Sequence, residues 1–224
     1  KSIQISCDGG AATGKSTGGE LISKKFKLKF LSSGLLYRYA TYLILRYRPK
    51  NKIAFLKKRF KKLNHQNLKR YNLHSPEISE YSAIIAKQSG VRNILKKFQL
   101  RFAEKNRKCC IEGRDISTKI LPNSDIKFFF FCNLEIAAKR RYRQLKKTNS
   151  KIKYKDIKKA LRIRNILDTK RKNSPLLKHI DSVSIDTGKL GKRAMLAKMT
   201  RHVEKVIKKK YVKRTRIKKK RPIT

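Results

Sequence analysis

The sequence predicts an α/β domain in which a parallel β-sheet lies between two layers of helices. Short apolar runs that are typical of buried strands recur along the chain, at residues 3–7, 30–31, 109–112, 126–132 and 183–185. Stretches with a helical spacing of apolar residues separate these runs, as in repeated β-α units. A glycine-rich segment follows the first run directly, at the end of the strand where open α/β sheets bind their ligands.

The glycine-rich segment, residues 9–17, fits the pattern Gly-x-x-x-x-Gly-Lys-Ser/Thr and precedes a helix predicted over residues 20–26. Its glycines allow a tight turn whose N–H groups point at an anion, and the positive end of the helix adds to the field. Lys15 supplies a cation for the outer phosphates, and the Ser16 hydroxyl can reach a phosphate-bound Mg²⁺. This context favours a nucleoside triphosphate site over a chance Lys-Ser in a turn. The residues predicted to form it are Gly9, Gly10, Ala11, Ala12, Thr13, Gly14, Lys15, Ser16 and Thr17.

Charge is the most unusual property of the composition. The chain has 62 Lys and Arg against 14 Asp and Glu, which gives a net charge of +48. Such a balance attracts anionic partners over long distances. Because lysine is spread from one end of the chain to the other, a solvated basic surface is favoured over a dedicated nucleic-acid surface. Nonspecific binding of nucleic acid remains compatible with this charge.

The cysteines and the apolar runs indicate a cytoplasmic protein with no membrane partner. Cys7, Cys109, Cys110 and Cys132 show neither the spacing of a zinc site nor a Cys-x-x-Cys redox pair. They fall in or beside predicted strands, as small core residues do in a reducing compartment. The apolar run at 128–132 is far too short to cross a bilayer.

A second motif follows the second predicted strand, and it carries a resemblance to a known family. Asp8-Gly9, the phosphate loop, and then Ser33-Gly34-x-x-Tyr37-Arg38 resemble the bacterial cytidylate kinases of the nucleoside monophosphate (NMP) kinase group. The resemblance implies a three-layer P-loop kinase fold with an NMP-binding element at about 33–105 and a lid at about 140–155. It also implies that Ser33, Tyr37 and Arg38 bind the acceptor nucleotide. A guanidinium can hold a phosphate with two hydrogen bonds, and a tyrosine ring can pack on a sugar or base.

The stretch after this motif resembles the family less closely. Residues 49–76 predict one amphipathic helix, with apolar positions at Ile53, Phe55, Leu56, Phe60 and Leu63. The family carries a small insert here that helps close over CMP, and in this chain it is shortened. A further helix has Val91, Leu95, Phe98 and Phe102 on one face as core residues. Arg92 resembles the arginine with which the family reads the acceptor, whereas the serine that the family places before it falls on Ala83, beside Ser82.

The predicted strand at 109–112 leads directly into Gly113-Arg114-Asp115. Polar residues just beyond a strand of a parallel sheet lie at its ligand-binding edge, so Arg114 and Asp115 are predicted on the acceptor side. The run from Glu112 to Ile116 matches the cytidylate kinase pattern, and Ser117 replaces a usual glycine. An alternative is that Arg114 and Asp115 pair with each other to hold a turn.

Two helices are predicted around a lid. The helix at 135–147 carries Arg140 and Arg141, which match the double arginine of the family lid, and residues 148–153 form a predicted flap tip. The helix at 156–172 places Arg164, Asp168 and Arg171 on one face. These three resemble the element with which the family holds the acceptor sugar, base and phosphate. The same spacing would also suit an ordinary salt bridge within a helix.

The end of the chain completes the predicted domain. A strand at 183–185 and a helix at 194–207 close a single domain over residues 1–207, and a basic tail at 208–224 is predicted to be disordered. We expect a monomer.

The resemblance, which covers residues 3 to about 186, implies transfer of the γ-phosphoryl group from ATP to CMP or dCMP with Mg²⁺ bound. Its implied catalytic residues are Lys15, Arg114, Arg140, Arg141 and Arg171. Arg38, Arg114 and Arg171 would hold the acceptor phosphate. The implied contacts to base and sugar come from Arg92, Asp115, Arg164 and Asp168. Two alternatives stay open: a kinase for UMP or AMP, and a basic RNA-binding protein on an inactive P-loop scaffold.

Overall fold

The computed structural model of the protein describes residues 2–147 and 150–219. Its strands are β1 Ile3–Gly9, β2 Lys29–Ser32, β3 Lys108–Gly113, β4 Ile126–Phe131 and β5 Val183–Asp186. Its helices are α1 Lys15–Lys25, α2 Ser33–Tyr47, α3 Lys52–Lys61, α4 Pro76–Ile85, α5 Ser89–Lys105, α6 Leu134–Lys146, α7 Tyr154–Lys170 and α8 Lys192–Lys219. A 3₁₀ turn at His65–Arg70 and a π-helical turn at Ile116–Ile120 complete the described elements.

The five strands form one parallel sheet in the order β2-β3-β1-β4-β5. The registers align the carboxyl ends of the strands, since Asp8 lies beside Gly113 and Ser32 lies beside Glu112. The phosphate loop and the segment after β3 therefore leave the sheet at the same edge. The predicted α/β fold with a parallel sheet flanked by helices is confirmed.

Apolar side chains fill both faces of the sheet. Cys109 and Ile111 of β3 pack with α2, α3 and α5, whereas Cys110 packs on the opposite face with α1 and α8. This alternation follows from the two-residue period of a strand, and strands covered on both faces are apolar throughout. The thiols of Cys7, Cys109 and Cys110 are buried, as predicted for core residues, whereas Cys132, just after β4, is only partly buried.

Helix α1 lies so close to the sheet that two of its positions have no room for a side chain. From the sequence alone, Gly18 and Gly19 are unexplained, because a glycine within a helix costs about 1 kcal/mol relative to alanine. A Cβ atom built at Gly18 would lie 2.6 Å from the ring of Phe130, and one at Gly19 would lie 2.7 Å from the ring of Phe30. The two glycines allow the helix that begins in the phosphate loop to rest directly on aromatic rings of the sheet.

Replacing Gly18 by alanine is expected to lower the free energy of unfolding by about 1–3 kcal/mol, the usual cost of overpacking a closed core. The Phe130 ring is fully buried and has no space into which to move. Urea unfolding followed by circular dichroism measures the effect. Gly34→Ala, also within a helix, is the matched control because the nearest atoms to its Cβ would lie at 3.7 and 3.8 Å. Equal stability of the Gly18 and Gly34 variants would contradict the packing argument.

The predicted helix within 49–76 is present as α3, with Leu56 and Phe60 buried. Ile53, predicted on its apolar face, is 41% exposed, although its side chain lies against Gly90 at the start of α5. Several boundaries also differ from the prediction. Helix α1 begins at Lys15 and not at residue 20, since the phosphate loop runs directly into it. Helix α7 ends at Lys170, and Arg171 has an extended backbone just beyond it.

The largest difference lies at the end of the chain, where α8 continues to Lys219 in place of the disordered tail predicted from residue 208. Lysine and arginine are good helix formers, and the segment has neither glycine nor proline before Pro222. The side chain of Lys210 forms an ion pair with Asp125.

Residues 148–149 of the predicted flap tip and 220–224 of the predicted tail lie outside the described residues. None of the helices described between residues 2 and 219 has the length and apolarity that a bilayer crossing requires.

Candidate active site

A cavity of about 370 Å³ opens at the edge of the sheet where β1 and β3 end. The phosphate loop forms one wall, the start of α2 a second, and α6 with α7 a third. Predicted site residues from all these elements line it: Ala11, Ala12, Gly14, Lys15, Ser16, Thr17, Arg38, Arg114, Arg140, Arg141 and Arg164. The topology thus brings together residues that are far apart in the sequence.

The phosphate loop has the geometry of an anion cradle. Gly14 has a φ of +83°, in the left-handed region that favours glycine, and the loop turns there into the N-terminus of α1. The Lys15 Nζ donates to the Gly10 carbonyl at 3.0 Å, and the Thr13 hydroxyl donates to the same oxygen at 3.0 Å. The Ala11 N–H donates to Asn165 of α7 at 3.3 Å, so α7 steadies the loop.

Lys15 is buried in this cavity beside a carboxylate. Burial, and then the positive charge of Arg114, lower the pKa of Lys15 to about 7, while Glu112 acts in the opposite direction. The Lys15 Nζ lies 3.8 Å from the Glu112 Oε2, which is buried and makes no hydrogen bond within the described part of the chain. The negative charge of a polyphosphate bound here would stabilise the protonated ammonium group of Lys15.

Oxygen groups that suit Mg²⁺ lie in the same cavity. The Ser16 hydroxyl and the Glu112 carboxylate both line it, and Mg²⁺ prefers hydroxyl, carboxylate and phosphate oxygens. The unsatisfied Glu112 Oε2 is an acceptor for a metal-bound water. The chemistry of the cavity therefore fits a phosphate-bound Mg²⁺.

The two arginines predicted in the lid contact different parts of the cavity. Arg140 donates to the Thr187 hydroxyl at 2.9 Å and to its carbonyl at 2.6 Å, and Thr187 donates to the Thr13 carbonyl of the phosphate loop at 2.8 Å. Arg141 donates to the His74 carbonyl and to the Ser79 hydroxyl, both at 3.3 Å. One arginine therefore joins α6 to the phosphate loop, and the other joins α6 to the segment around α4.

The side chain of Arg38 meets an imidazole that the sequence did not indicate. Arg38 Nη1 lies 2.6 Å from His74 Nδ1 and donates to the Leu73 carbonyl at 3.2 Å. Burial, together with Arg38 and Arg141, lowers the pKa of His74 to about 4, so a neutral imidazole accepts the hydrogen bond from Arg38. Burial and the nearby arginines Arg164 and Arg141 also lower the pKa of Arg38, to about 9. This crowding of cations disfavours positive charge and would be relieved by a bound phosphate.

A second cavity, of about 40 Å³, adjoins the first and shares Gly34, Arg114 and Arg164 with it. The other predicted acceptor residues line this second cavity: Ser33, Tyr37, Arg92, Asp115, Asp168 and Arg171. Its volume holds only a few water molecules. A nucleotide can enter only when the walls of this cavity separate.

Asp168 lies at the centre of this second cavity. It accepts from Arg114 Nε at 2.7 Å and from Arg171 Nη1 at 3.4 Å. Burial raises the pKa of Asp168, but Arg114, Arg164 and Arg171 outweigh burial and hold it below the usual value. Arg164 Nε and Arg171 Nη2 are buried and have no hydrogen-bond partner within residues 2–147 and 150–219. These guanidinium donors suit an incoming phosphate or carbonyl oxygen.

A second buried ion pair joins Arg92 to Asp115. Arg92 also lies over the ring of Tyr37, with 5.8 Å between the guanidinium carbon and the ring centroid. Burial raises the pKa of Tyr37 to about 12, so its hydroxyl stays protonated. The contact between Arg92 and Tyr37 provides a flat, half-buried surface on which a sugar or base could pack.

Asp8 connects the donor and acceptor sides through the backbone. It accepts from the Ile116 N–H at 2.8 Å, from the Ser117 N–H at 2.7 Å and from the Ser117 hydroxyl at 2.6 Å. Burial raises the pKa of Asp8 to about 6, although these hydrogen bonds oppose that shift. The Ser117 hydroxyl donates a hydrogen bond that the glycine expected from the family could not. The serine at this position therefore strengthens the link between β1 and the segment after β3.

The structure places the predicted site residues at one edge of the sheet, but not all in one cavity. Arg38 and Arg114 share a cavity with Lys15, whereas Arg171 reaches only the adjacent cavity and connects with Arg114 through Asp168. The alternative pairing of Arg114 with Asp115 is wrong. Arg114 pairs with Asp168 of α7, and Asp115 pairs with Arg92 of α5.

Several residues of the site were missed from the sequence, namely Glu112, His74 and Gln144, which line the larger cavity, and Asn165, which accepts a hydrogen bond from the phosphate loop. Glu112 precedes Gly113-Arg114 at the end of a strand, and that position could have indicated it. Arg141 also donates to Gln144, at 2.9 Å. His74 and Asn165 carry no local signal, since neither belongs to a motif and only the fold brings them to the cavity.

Solved structures share the fold of this chain. An uncharacterised protein from Eubacterium ventriosum ATCC 27560 aligns with a TM-score of 0.54 at 13% identity, over 92% of this chain and 99% of its own. A Thermus thermophilus protein, TT1252, aligns with a TM-score of 0.50 at 15% identity, over 90% of this chain and 96% of its own. At these identities the likeness concerns the fold alone.

Sequence comparisons identify the family. The cytidylate kinase of Rickettsia canadensis (strain McKiel) is 34% identical over 208 residues, which cover 91% of this chain and 93% of the relative. The cytidylate kinase of Rickettsia felis (strain ATCC VR-1525 / URRWXCal2) is 32% identical over 205 residues, with the same two coverages. The sequence profile of the family described as cytidylate kinase matches residues 5–205. The chain therefore belongs to the cytidylate kinase family.

Proposed function

We propose that this protein transfers the γ-phosphoryl group of ATP to CMP or dCMP, giving ADP and CDP or dCDP. The observation that carries this function is the shared wall of the two cavities. Lys15 and the phosphate loop line the larger cavity, and Arg114 and Arg164 line both. A triphosphate in one cavity and a monophosphate in the other would meet at these guanidinium groups.

On the donor side, the residues from Gly9 to Thr17 bind the triphosphate through backbone N–H groups. Lys15 leaves the Gly10 carbonyl and holds the outer phosphate oxygens. Ser16 and Glu112 would hold Mg²⁺, which would supply neutralising charge to the phosphate oxygens. Arg140 and Arg141 approach the transferred group from the lid and exclude water.

On the acceptor side, Arg38 and Arg114 hold the phosphate in line with the donor. Arg171 adds to this clamp from the adjacent cavity, where Asp168 orients Arg114 and Arg171 together. Arg92, Asp115 and Tyr37 bind base and sugar, with Ser33, Arg164 and Asp168. Because the acceptor cavity is almost closed, the NMP-binding element at about 33–105 must move away from α7 and from the segment after β3 to admit CMP.

The reaction requires no covalent intermediate and no dedicated general base. The acceptor phosphate is ionised before it enters, so catalysis consists of positioning and charge stabilisation. The protein acts as a cytoplasmic monomer in this proposal, because its four cysteines are free thiols and one chain lines both cavities.

A coupled assay of ADP release tests the proposed function with CMP, dCMP, UMP and AMP as acceptors. We expect CMP or dCMP to give the highest kcat/KM. A clear preference for UMP or AMP would replace the proposed acceptor by another one. RNA binding with no release of ADP that depends on a monophosphate would support the inactive scaffold instead.

His74 is expected to be a positioning residue for Arg38. Its neutral imidazole accepts from the Arg38 guanidinium, and a hydrogen bond to a charged group contributes about 1.5–3 kcal/mol. His74→Leu should therefore raise the KM for CMP about tenfold, since each 1.4 kcal/mol is a factor of ten. Both residues line the larger cavity, but their side-chain hydrogen bonds go to each other and to Leu73 and not to the phosphate loop. The KM for ATP should therefore rise by a smaller factor than the KM for CMP.

Steady-state kinetics with each substrate varied in turn measure this effect. His74→Asn keeps an acceptor near the position of Nδ1 and should recover most of the affinity for CMP. An equal rise of both KM values, or no recovery by asparagine, would contradict the positioning role.

A further inference from the structure

The outer surface of α2 and α3 carries a layered array of aromatic rings and guanidinium groups. Arg46 lies over the rings of Tyr42 and Tyr47, in each case with its guanidinium carbon 5.7 Å from the ring centroid. Arg59 lies 5.0 Å from the Tyr47 centroid and 5.3 Å from that of Phe55. The rings of Tyr47 and Phe55 are themselves 5.6 Å apart. We call Tyr42, Arg46, Tyr47, Phe55 and Arg59 the ladder.

The ladder is accessible to solvent. Tyr47 is 48% exposed, and Arg46 and Arg59 are exposed as well. About half of the Tyr47 residue is therefore accessible to a partner.

The ladder also lies within a long stretch of the chain that has no acidic residue. Residues 21–76 contain sixteen Lys and Arg and no Asp or Glu. Further exposed cations lie near the ladder residues in the sequence, namely Arg48, Lys50, Lys52, Lys57 and Lys58. Charge is high everywhere in this protein, but rings interleaved with two arginines distinguish this surface from the rest of the described residues.

The ladder is remote from the two cavities. Arg38 and Tyr47 lie on the same helix nine residues apart, which corresponds to about 14 Å along its axis. None of the five ladder residues lines either cavity. A partner on the ladder would therefore leave the nucleotide pockets open.

We propose that the ladder is a binding surface for single-stranded nucleic acid, a function beyond phosphoryl transfer. Nucleobases would stack on Tyr47, and Arg46, Arg59 and the surrounding lysines would contact the phosphates. Sequence-tolerant single-strand sites combine these two features, aromatic platforms and a basic track. An anionic membrane fits the surface less well, because insertion needs a continuous apolar face, and Leu56 and Phe60 of α3 are buried in the core.

The first test compares Tyr47 variants, which leave the net charge unchanged. Fluorescence anisotropy of a fluorescein-labelled oligouridylate measures binding across a range of salt concentrations. We expect Tyr47→Ala to weaken binding about tenfold, within the range that single base–aromatic stacks contribute. Tyr47→Phe keeps the ring and should bind within about twofold of the wild type.

The second test compares two matched losses of charge. Arg46→Gln with Arg59→Gln removes two cations from the ladder, and Arg193→Gln with Arg201→Gln removes two exposed cations from α8, on the opposite face of the sheet. The ladder pair should bind more weakly than the α8 pair. The slope of log affinity against log salt concentration should also be smaller for the ladder pair than for the wild type, by about 1.4. Two phosphate contacts are lost, and each contributes roughly 0.7 to the slope.

Three results would overturn the proposal. Tyr47→Ala could bind as tightly as the wild type, both arginine pairs could weaken binding equally, or the oligonucleotide could fail to bind near physiological salt. Each would show diffuse charge and not a ladder site. Vesicles that contain phosphatidylserine, if they bound with the same dependence on Tyr47 and displaced the oligonucleotide, would replace nucleic acid by a membrane surface.

Kinase turnover and thermal unfolding of every variant serve as controls. Both should match the wild type, since no substituted residue belongs to the nucleotide pockets. Loss of the proposed kinase function would appear in the ADP assay alone, so failure of one proposal does not imply failure of the other.

Discussion

Lys15→Ala is expected to lower kcat with CMP and dCMP alike by about 10³-fold, at the upper end of what removal of one preorganised charge-stabilising group costs. Lys15 is the cation of the phosphate loop, and its Nζ is already within the cavity, 3.0 Å from the Gly10 carbonyl. Without it, the charge on the transferred group is stabilised only by the backbone N–H groups of the loop, by Mg²⁺ and by arginines from the acceptor side and the lid. The coupled assay of ADP release measures the loss.

The loss of kcat should appear with every acceptor, because Lys15 belongs to the donor site. Circular dichroism distinguishes a catalytic loss from unfolding, and the Lys15 variant should retain the spectrum of the wild type. Lys24→Ala, at an exposed position of the same helix, is the control and should keep full activity. More than a tenth of wild-type turnover in the Lys15 variant would contradict its assigned role.

Asp168→Asn is expected to lower kcat/KM for CMP by about 10²- to 10³-fold, and to leave the affinity for ATP unchanged. Asp168 neutralises Arg114 and Arg171, and removal of one charge from a buried pair costs about 3–5 kcal/mol. Its loss allows both guanidinium groups to leave the positions that hold the acceptor. It does not line the donor cavity, so ATP binding should be independent of it.

Kinetics with CMP varied at saturating ATP, together with a direct titration of ATP, separate the two sites. Asp181→Asn is the matched control, since Asp181 is a highly exposed carboxylate that pairs with Lys127 at 3.9 Å. Weakening of ATP binding by Asp168→Asn, to the same extent as its effect on CMP, would contradict the assignment of Asp168 to the acceptor side.

The parts of the fold that depend on local pattern could be predicted from the sequence. All five strands were expected, because short apolar runs between helical segments are typical of a parallel sheet buried on both faces. The phosphate loop was also expected, because it too is a local pattern. Its glycines, Lys15 and Ser16 all lie within residues 9–17. The carboxyl ends of these strands then placed the residues after β3 at the edge where the loop lies.

The parts that depend on contacts between distant residues could not be predicted. The sequence allowed Arg114 to pair with Asp115, but the structure pairs Arg114 with Asp168, 54 residues away. His74 reaches the cavity from a stretch with little pattern, and only the packing of α2 against the segment before α4 explains its contact with Arg38. Gly18 is similar, because its role depends on a Phe130 ring more than a hundred residues later.

At helix ends, the local sequence pattern led to wrong predictions of where the helix stops. Arg171 continues the helical spacing of Arg164 and Asp168, yet α7 ends one residue before it. The extended backbone at Arg171 lets its Nε donate to the Ser174 carbonyl at 2.6 Å, and its Nη1 still reaches Asp168. The predicted cluster survives because the interaction depends on the position of the guanidinium group and not on a regular helix.

Titration with a bisubstrate compound, cytidine joined to adenosine through five phosphates, tests the central claim most directly. The claim is that a donor pocket of backbone amides and an acceptor pocket of guanidinium groups meet at one edge of the sheet. Isothermal calorimetry should give one molecule per chain, bound at least about a hundredfold more tightly than ATP or CMP alone, as expected when two linked groups occupy adjacent sites. A compound that displaced ATP but left CMP bound, or that bound no more tightly than ATP, would contradict the claim.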